Sequence, residues 1–210
     1  MSYRNGVSDL YVKTIDGTAP EEPLVTSDEQ KTPGDWSTDG KFVAYWTNRT
    51  DTRGDVWVSP LEAGRPPIPI ARTKFSERNP RFAPDGHFLT YESDESGAYE
   101  VYVQPFPPTG GKWQVSVGGG NEASWRRDGR ELYYVNSSGM LLAVPVTLSP
   151  SGFSTGAAVT LFDVGTRGGS AGNGRYEPAS DGRRFLVRQI VDPPAQPLRV
   201  ILNWPAALKK

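Results

Sequence analysis

Short runs of alternating apolar and polar residues restart along this chain after each of four Asp-Gly pairs. The pairs are Asp39-Gly40, Asp85-Gly86, Asp128-Gly129 and Asp181-Gly182. Three and five residues past each glycine the side chains are apolar: Val43 and Tyr45, Leu89 and Tyr91, Leu132 and Tyr134, Phe185 and Val187. Four residues before it stand Trp36, Phe82, Trp125 and Pro178. Alternation with period two predicts strands with one face in a core. Asp-Gly between such runs predicts a hairpin, because glycine enters positive φ without steric cost. The four aspartates are expected to accept hydrogen bonds from turn N–H groups.

A second element recurs behind the first. Asp9-Leu10-Tyr11-Val12, Asp55-Val56-Trp57-Val58 and Glu100-Val101-Tyr102-Val103 share an acid, an aliphatic, an aromatic and a valine. Met140 to Val144 and Leu198 to Leu202 hold that place in the last two units without acid or aromatic. The Asp-Gly turn therefore joins the first two strands of a unit, this element is the third strand, and a fourth follows, as in Trp113 to Val117. Successive glycines stand 46, 43 and 53 residues apart, the length of a four-stranded propeller blade of about 40–50 residues. With 19 prolines and 23 glycines there is little room for helices. The expected fold is all-β: a β-propeller of four-stranded antiparallel blades, in an incomplete or open arc of about four to five units. The expected division is one propeller segment over 1–210, with a partial blade at 1–32, blades at 33–78, 79–121 and 122–174, and a partial terminal blade at 175–210. Its ends do not tile into one closing blade, so a C-terminal portion of a longer propeller is expected, with upstream blades missing.

Composition narrows the function classes. A net charge of −1 supplies no global field toward nucleic acid or anionic membrane, so neither is an expected partner. With no cysteine and one histidine the usual zinc sets are excluded, and neither metal nor cofactor is expected. His87 follows an Asp-Gly pair where other units carry Lys41, Arg130 and Arg183, which marks a solvent-facing position rather than a tuned base. Gly168-Gly169-Ser170-Ala171-Gly172 matches G-x-S-x-G but is flanked by more glycine and has no later histidine; it reads as part of a mobile linker. Arg126, Arg127 and Arg130 bracket a turn and read as a solvated blade edge. Trp36 with Trp125, and Tyr11 with Trp57 and Tyr102, stand at repeated positions and predict packing between blades. Trp46, Asn48 and Arg49 break the repeat and, with Trp113, are the candidate ligand-contact residues.

One longer stretch is more specific than the turns. Phe82-Ala83-Pro84-Asp85-Gly86, Glu92-Ser93-Asp94-Glu95-Ser96-Gly97, Glu100-Val101-Tyr102-Val103-Gln104-Pro105-Phe106-Pro107 and Trp125-Arg126-Arg127-Asp128-Gly129 resemble the TolB-type propeller repeats found in the C-terminal region of large bacterial serine/threonine protein kinases. The resemblance implies a kinase domain upstream, often with a membrane span, and a propeller that senses or docks. The glycine-rich nucleotide loop, the His-Arg-Asp loop and Asp-Phe-Gly do not occur here, so this segment performs no phosphoryl transfer. The expectation is a non-catalytic binding or sensing module for a protein, peptide or small molecule, periplasmic if its parent is a membrane-spanning kinase and cytoplasmic otherwise. Two alternatives stand beside it: the substrate-gating propeller of a prolyl-oligopeptidase-like hydrolase, and a stand-alone TolB-like periplasmic interaction protein.

Overall fold

A computed structural model describes residues 6–48, 53–149, 152–165 and 174–188. Each of the four repeat Asp-Gly pairs closes the same loop. Gly40, Gly86, Gly129 and Gly182 donate their N–H groups to the carbonyls of Ser37, Ala83, Arg126 and Ala179 at 2.8–2.9 Å, and their φ angles are 70, 72, 73 and 66°. The aspartates keep negative φ, so this is a four-residue loop built on a β-turn rather than a two-residue primed turn. Oδ1 of Asp39, Asp85, Asp128 and Asp181 accepts the N–H two residues on at 2.9–3.1 Å, as expected.

These loops join the first two strands of the second to fifth units. The first unit is a pair only, β1 (Leu10–Val12) with β2 (Glu22–Val25). The second is a four-stranded antiparallel sheet of β3 (Gln30–Trp36), β4 (Phe42–Asn48), β5 (Asp55–Pro60) and β6 (Ile68–Ala71). The third holds β7 (Glu77–Phe82), β8 (Phe88–Ser93), β9 (Glu100–Pro105) and β10 (Trp113–Gln114). In the fourth, β11 (Asn121–Trp125) and β12 (Glu131–Val135) precede the ten-residue β13 (Met140–Ser149). One half of β13 pairs with β15 (Val159–Asp163), while the other pairs with β14 (Gly152–Thr155) as a projecting hairpin. A last pair, β16 (Tyr176–Pro178) with β17 (Phe185–Val187), follows. No helix occurs among the described residues. Leu198 to Leu202 and the Gly-Ser-Ala-Gly stretch lie outside the described residues.

Two details differ from the sequence expectation. Strand β10 ends at Gln114 instead of Val117, because the Val101 N–H donates to Ser116 Oγ at 2.8 Å and the ladder stops there. The β14 hairpin was not foreseen; its Phe153 packs 5.5 Å from the Trp113 ring and 6.1 Å from Phe88.

Register explains the repeat. Trp36 faces Val43 across the ladder, Phe82 faces Leu89, Trp125 faces Leu132 and Pro178 faces Phe185. The apolar pairs after each turn point to the preceding sheet, whereas the aliphatics of the third strand point to the following one. Val56 and Val58 thus cluster with Phe82, Leu89 and Tyr91. Val101 and Val103 cluster with Trp125, Leu132 and Tyr134. Leu141 and Ala143 cluster with Tyr176, Phe185 and Val187. The repeated acid at the start of the third strand ties it to the crossover between sheets. Asp9 Oδ1 accepts Lys31 Nζ at 2.8 Å, and Glu100 accepts the Gly119 N–H at 2.7 Å together with the Ser116 hydroxyl.

Candidate functional site

The first strands β3, β7, β11 and β16 stand side by side, each tied to its neighbour through polar contacts. Asp35 Oδ2 accepts the Phe82 N–H at 3.0 Å, and Arg81 Nη1 donates to the Gly34 carbonyl at 3.0 Å. Glu92, fully buried, accepts Arg78 Nε (2.8 Å), Asn79 Nδ2 (2.9 Å) and the Glu122 N–H (2.7 Å). Glu122 then takes the Arg175 N–H at 2.7 Å and its Nε at 2.9 Å. Arg175 also donates to Asn121 Oδ1 and the Gly165 carbonyl, and the Tyr176 hydroxyl donates to the Glu122 carbonyl. β-Bulges in β7 and β11 make this possible by placing Asn79 and Glu122 at φ of 53 and 56°.

Between these strands opens a cavity of about 820 Å³. Trp36, Phe82, Pro178 and Leu186 give it apolar surface; Arg81, Arg127 and Arg188 bring positive charge, and Asp35 and Glu177 negative. Trp36 corrects the sequence reading. Its repeat partners Phe82 and Trp125 are 5% and 8% exposed, yet Trp36 is 52% exposed. The reason is the half-built first unit: β1 and β2 supply third and fourth strands, but among the described residues no inner strand precedes β3 to cover the ring.

The Asp35 carboxyl is pushed above its ordinary value by burial, while the N–H groups of Phe82 and Trp36 and the charge of Arg81 pull it down less strongly. The fold thus favours its protonated form more than the unfolded chain does. Its stabilising contribution is complete below the ordinary carboxyl value and is lost as pH rises through the raised one. Asp35→Asn is expected to flatten the stability profile relative to the parent as pH rises from the ordinary carboxyl range of about 4, read as urea midpoints; parallel profiles would refute this.

No protein-family profile matches the chain, and no curated protein does. Solved structures do. TolB from Acinetobacter baumannii superposes with a TM-score of 0.59 at 18% identity, over 85% of this chain and 42% of that one. A TolB-named protein from Agrobacterium tumefaciens gives 0.58 at 14% identity, over 76% of this chain and 60% of its own. The fold is that of a β-propeller. A structure from a study of two prolyl endopeptidases gives 0.51 at 15% identity, over 92% of this chain and 32% of that one. The chain thus spans less than two thirds of the propeller proteins it resembles.

Within the propeller, the residues named from sequence for ligand contact fall apart. Trp46 is half-buried against the core shared by the second and third units, and Asn48 is exposed at the end of β4. Trp113 packs on Phe88 of its own sheet and Phe153 of the next, and Arg49 lies outside the described residues. None of the three described residues lines the cavity. The cavity uses repeat positions on the innermost strands, and its signal in sequence was only the regular recurrence of those positions. His87 is exposed on its turn, as are Lys41, Arg130 and Arg183. Among the described residues no group of three His, Cys, Asp or Glu side chains converges to hold a metal, and no helix is long and apolar enough to cross a membrane.

Proposed function

We propose that this propeller segment is a non-catalytic binding or sensing module whose ligand enters the cavity between the first strands. The observation that carries the reading is the half-exposed Trp36 ring, lining the same cavity as Arg81. An aromatic face with a nearby cation is a pairing enriched at binding hot spots, and cavities of about 300–1,000 Å³ suit small ligands or short peptide segments. Selection from a displayed library of extended peptides supplies the probe. Trp36→Ala is expected to weaken the selected peptide by about tenfold or more, and Trp113→Phe to leave it unchanged. Selected binders indifferent to Trp36→Ala would refute the assignment.

For the parent protein, the sequence resemblance from Phe82 through Gly129 supports a large bacterial signalling protein such as a membrane-linked serine/threonine kinase. The propeller would then be its extracytoplasmic sensor. The likeness to a prolyl endopeptidase structure favours a second reading, a propeller that gates a hydrolase. The intact mass and full sequence of the natural product decide between them: kinase motifs upstream support the first, a hydrolase domain downstream the second.

A further inference from the structure

The Asp-Gly turns lie along one rim and touch in succession. Thr38 Oγ1 donates to the Pro84 carbonyl at 3.1 Å. A Cβ on Gly129 would meet Pro84 Cδ at 4.0 Å, and one on Gly182 would meet Arg126 Cδ and Nε at 3.0 Å. Charge along this rim is uneven. In the β3–β4 turn, Lys41 is matched by Asp39 at 3.5 Å, and the β7–β8 turn has only His87 beside Asp85. The next two turns, in direct contact, carry Arg126, Arg127, Arg130, Arg183 and Arg184.

Only Arg126 is neutralised locally, by Asp128 and Glu131, both at 3.2 Å. The carboxylates of this sector are turned to internal work. Asp128 and Asp181 each accept a turn N–H, and Glu131 also takes the Tyr133 hydroxyl at 2.7 Å. Arg127, Arg130, Arg183 and Arg184 are exposed and form no ion pair among the described residues. Four unpaired guanidinium groups on two touching loops repel one another, and each offers a planar fork that fits a carboxylate.

We infer that this rim sector docks an acidic peptide segment of a partner protein, its Asp or Glu carboxylates received by Arg130, Arg183 and Arg184. Arg127 also lines the cavity, but the three receiving arginines, Arg130, Arg183 and Arg184, do not, so this docking stands or falls apart from the cavity's ligand. A fluorescently labelled glutamate-rich peptide, followed by anisotropy with the full chain, tests it. Arg130→Glu/Arg183→Glu/Arg184→Glu is expected to weaken binding by about tenfold or more. Lys41→Glu, at the same repeat position two units away, is expected to change it by less than about twofold. Wild-type binding should fall as salt rises from about 0.05 to 0.2 M. Arg183→Gln/Arg184→Gln reads the same loss with the smaller perturbation, should the triple variant misfold. Binding insensitive to salt, unchanged in the arginine variants, or matched by a duplex oligonucleotide of equal charge would overturn the inference. Trp36→Ala should leave this binding intact, which separates its outcome from that of the cavity.

Discussion

Glu122→Ala is expected to lower the unfolding free energy by about 3 kcal/mol or more, the cost of stranding one member of a buried ion pair. Arg175 has a side chain only 7% exposed and Glu122 one only 14% exposed, so water does little to rescue the guanidinium once its carboxylate is gone. The Asn121 and Gly165 oxygens would still accept from Arg175, but neither carries compensating charge. Glu122→Gln keeps the shape and one acceptor, and should fall between the alanine variant and the parent. Urea unfolding with a second probe on the tryptophans measures it. A loss below about 1 kcal/mol would place this pair among ordinary surface bridges.

Leu132→Ala is expected to cost about 3 kcal/mol as well, for a different reason. Leu132 is fully buried and sits opposite Trp125, among valines from the preceding sheet. Removing its branched end deletes dispersion contacts on both sides of a seam and leaves a void that strands paired on both edges cannot close. Val144 and Trp125 would lose their shared neighbour. The exposed Leu186 on β17 provides the contrast: truncating it should change stability by less than about 0.5 kcal/mol.

These two sites differ in how visible they were beforehand. Leu132 was legible, because it stands three residues past an Asp-Gly pair like Val43, Leu89 and Phe185, and period two assigns all four the same face. The turns, the all-β class and the order of strands followed from the same arithmetic. Glu122 was not legible. Its partner lies 53 residues away, and a glutamate at positive φ carries no local signature until the bulge that places it is seen. Trp36 shows the limit from the other side: repetition identified its position correctly, but the cover at that position depends on strands belonging to another unit. The long β13 escaped because alternation alone does not report that one strand serves two partners in turn.

Among the described residues three hydrophobic clusters form separate seams, each drawn from two neighbouring sheets. No centre is common to all. Ancestral duplication or loss of a terminal unit would therefore open or close a single seam and leave the others as they were. An arc assembled on those terms can vary in its number of sheets across descendants while every retained joint keeps its geometry.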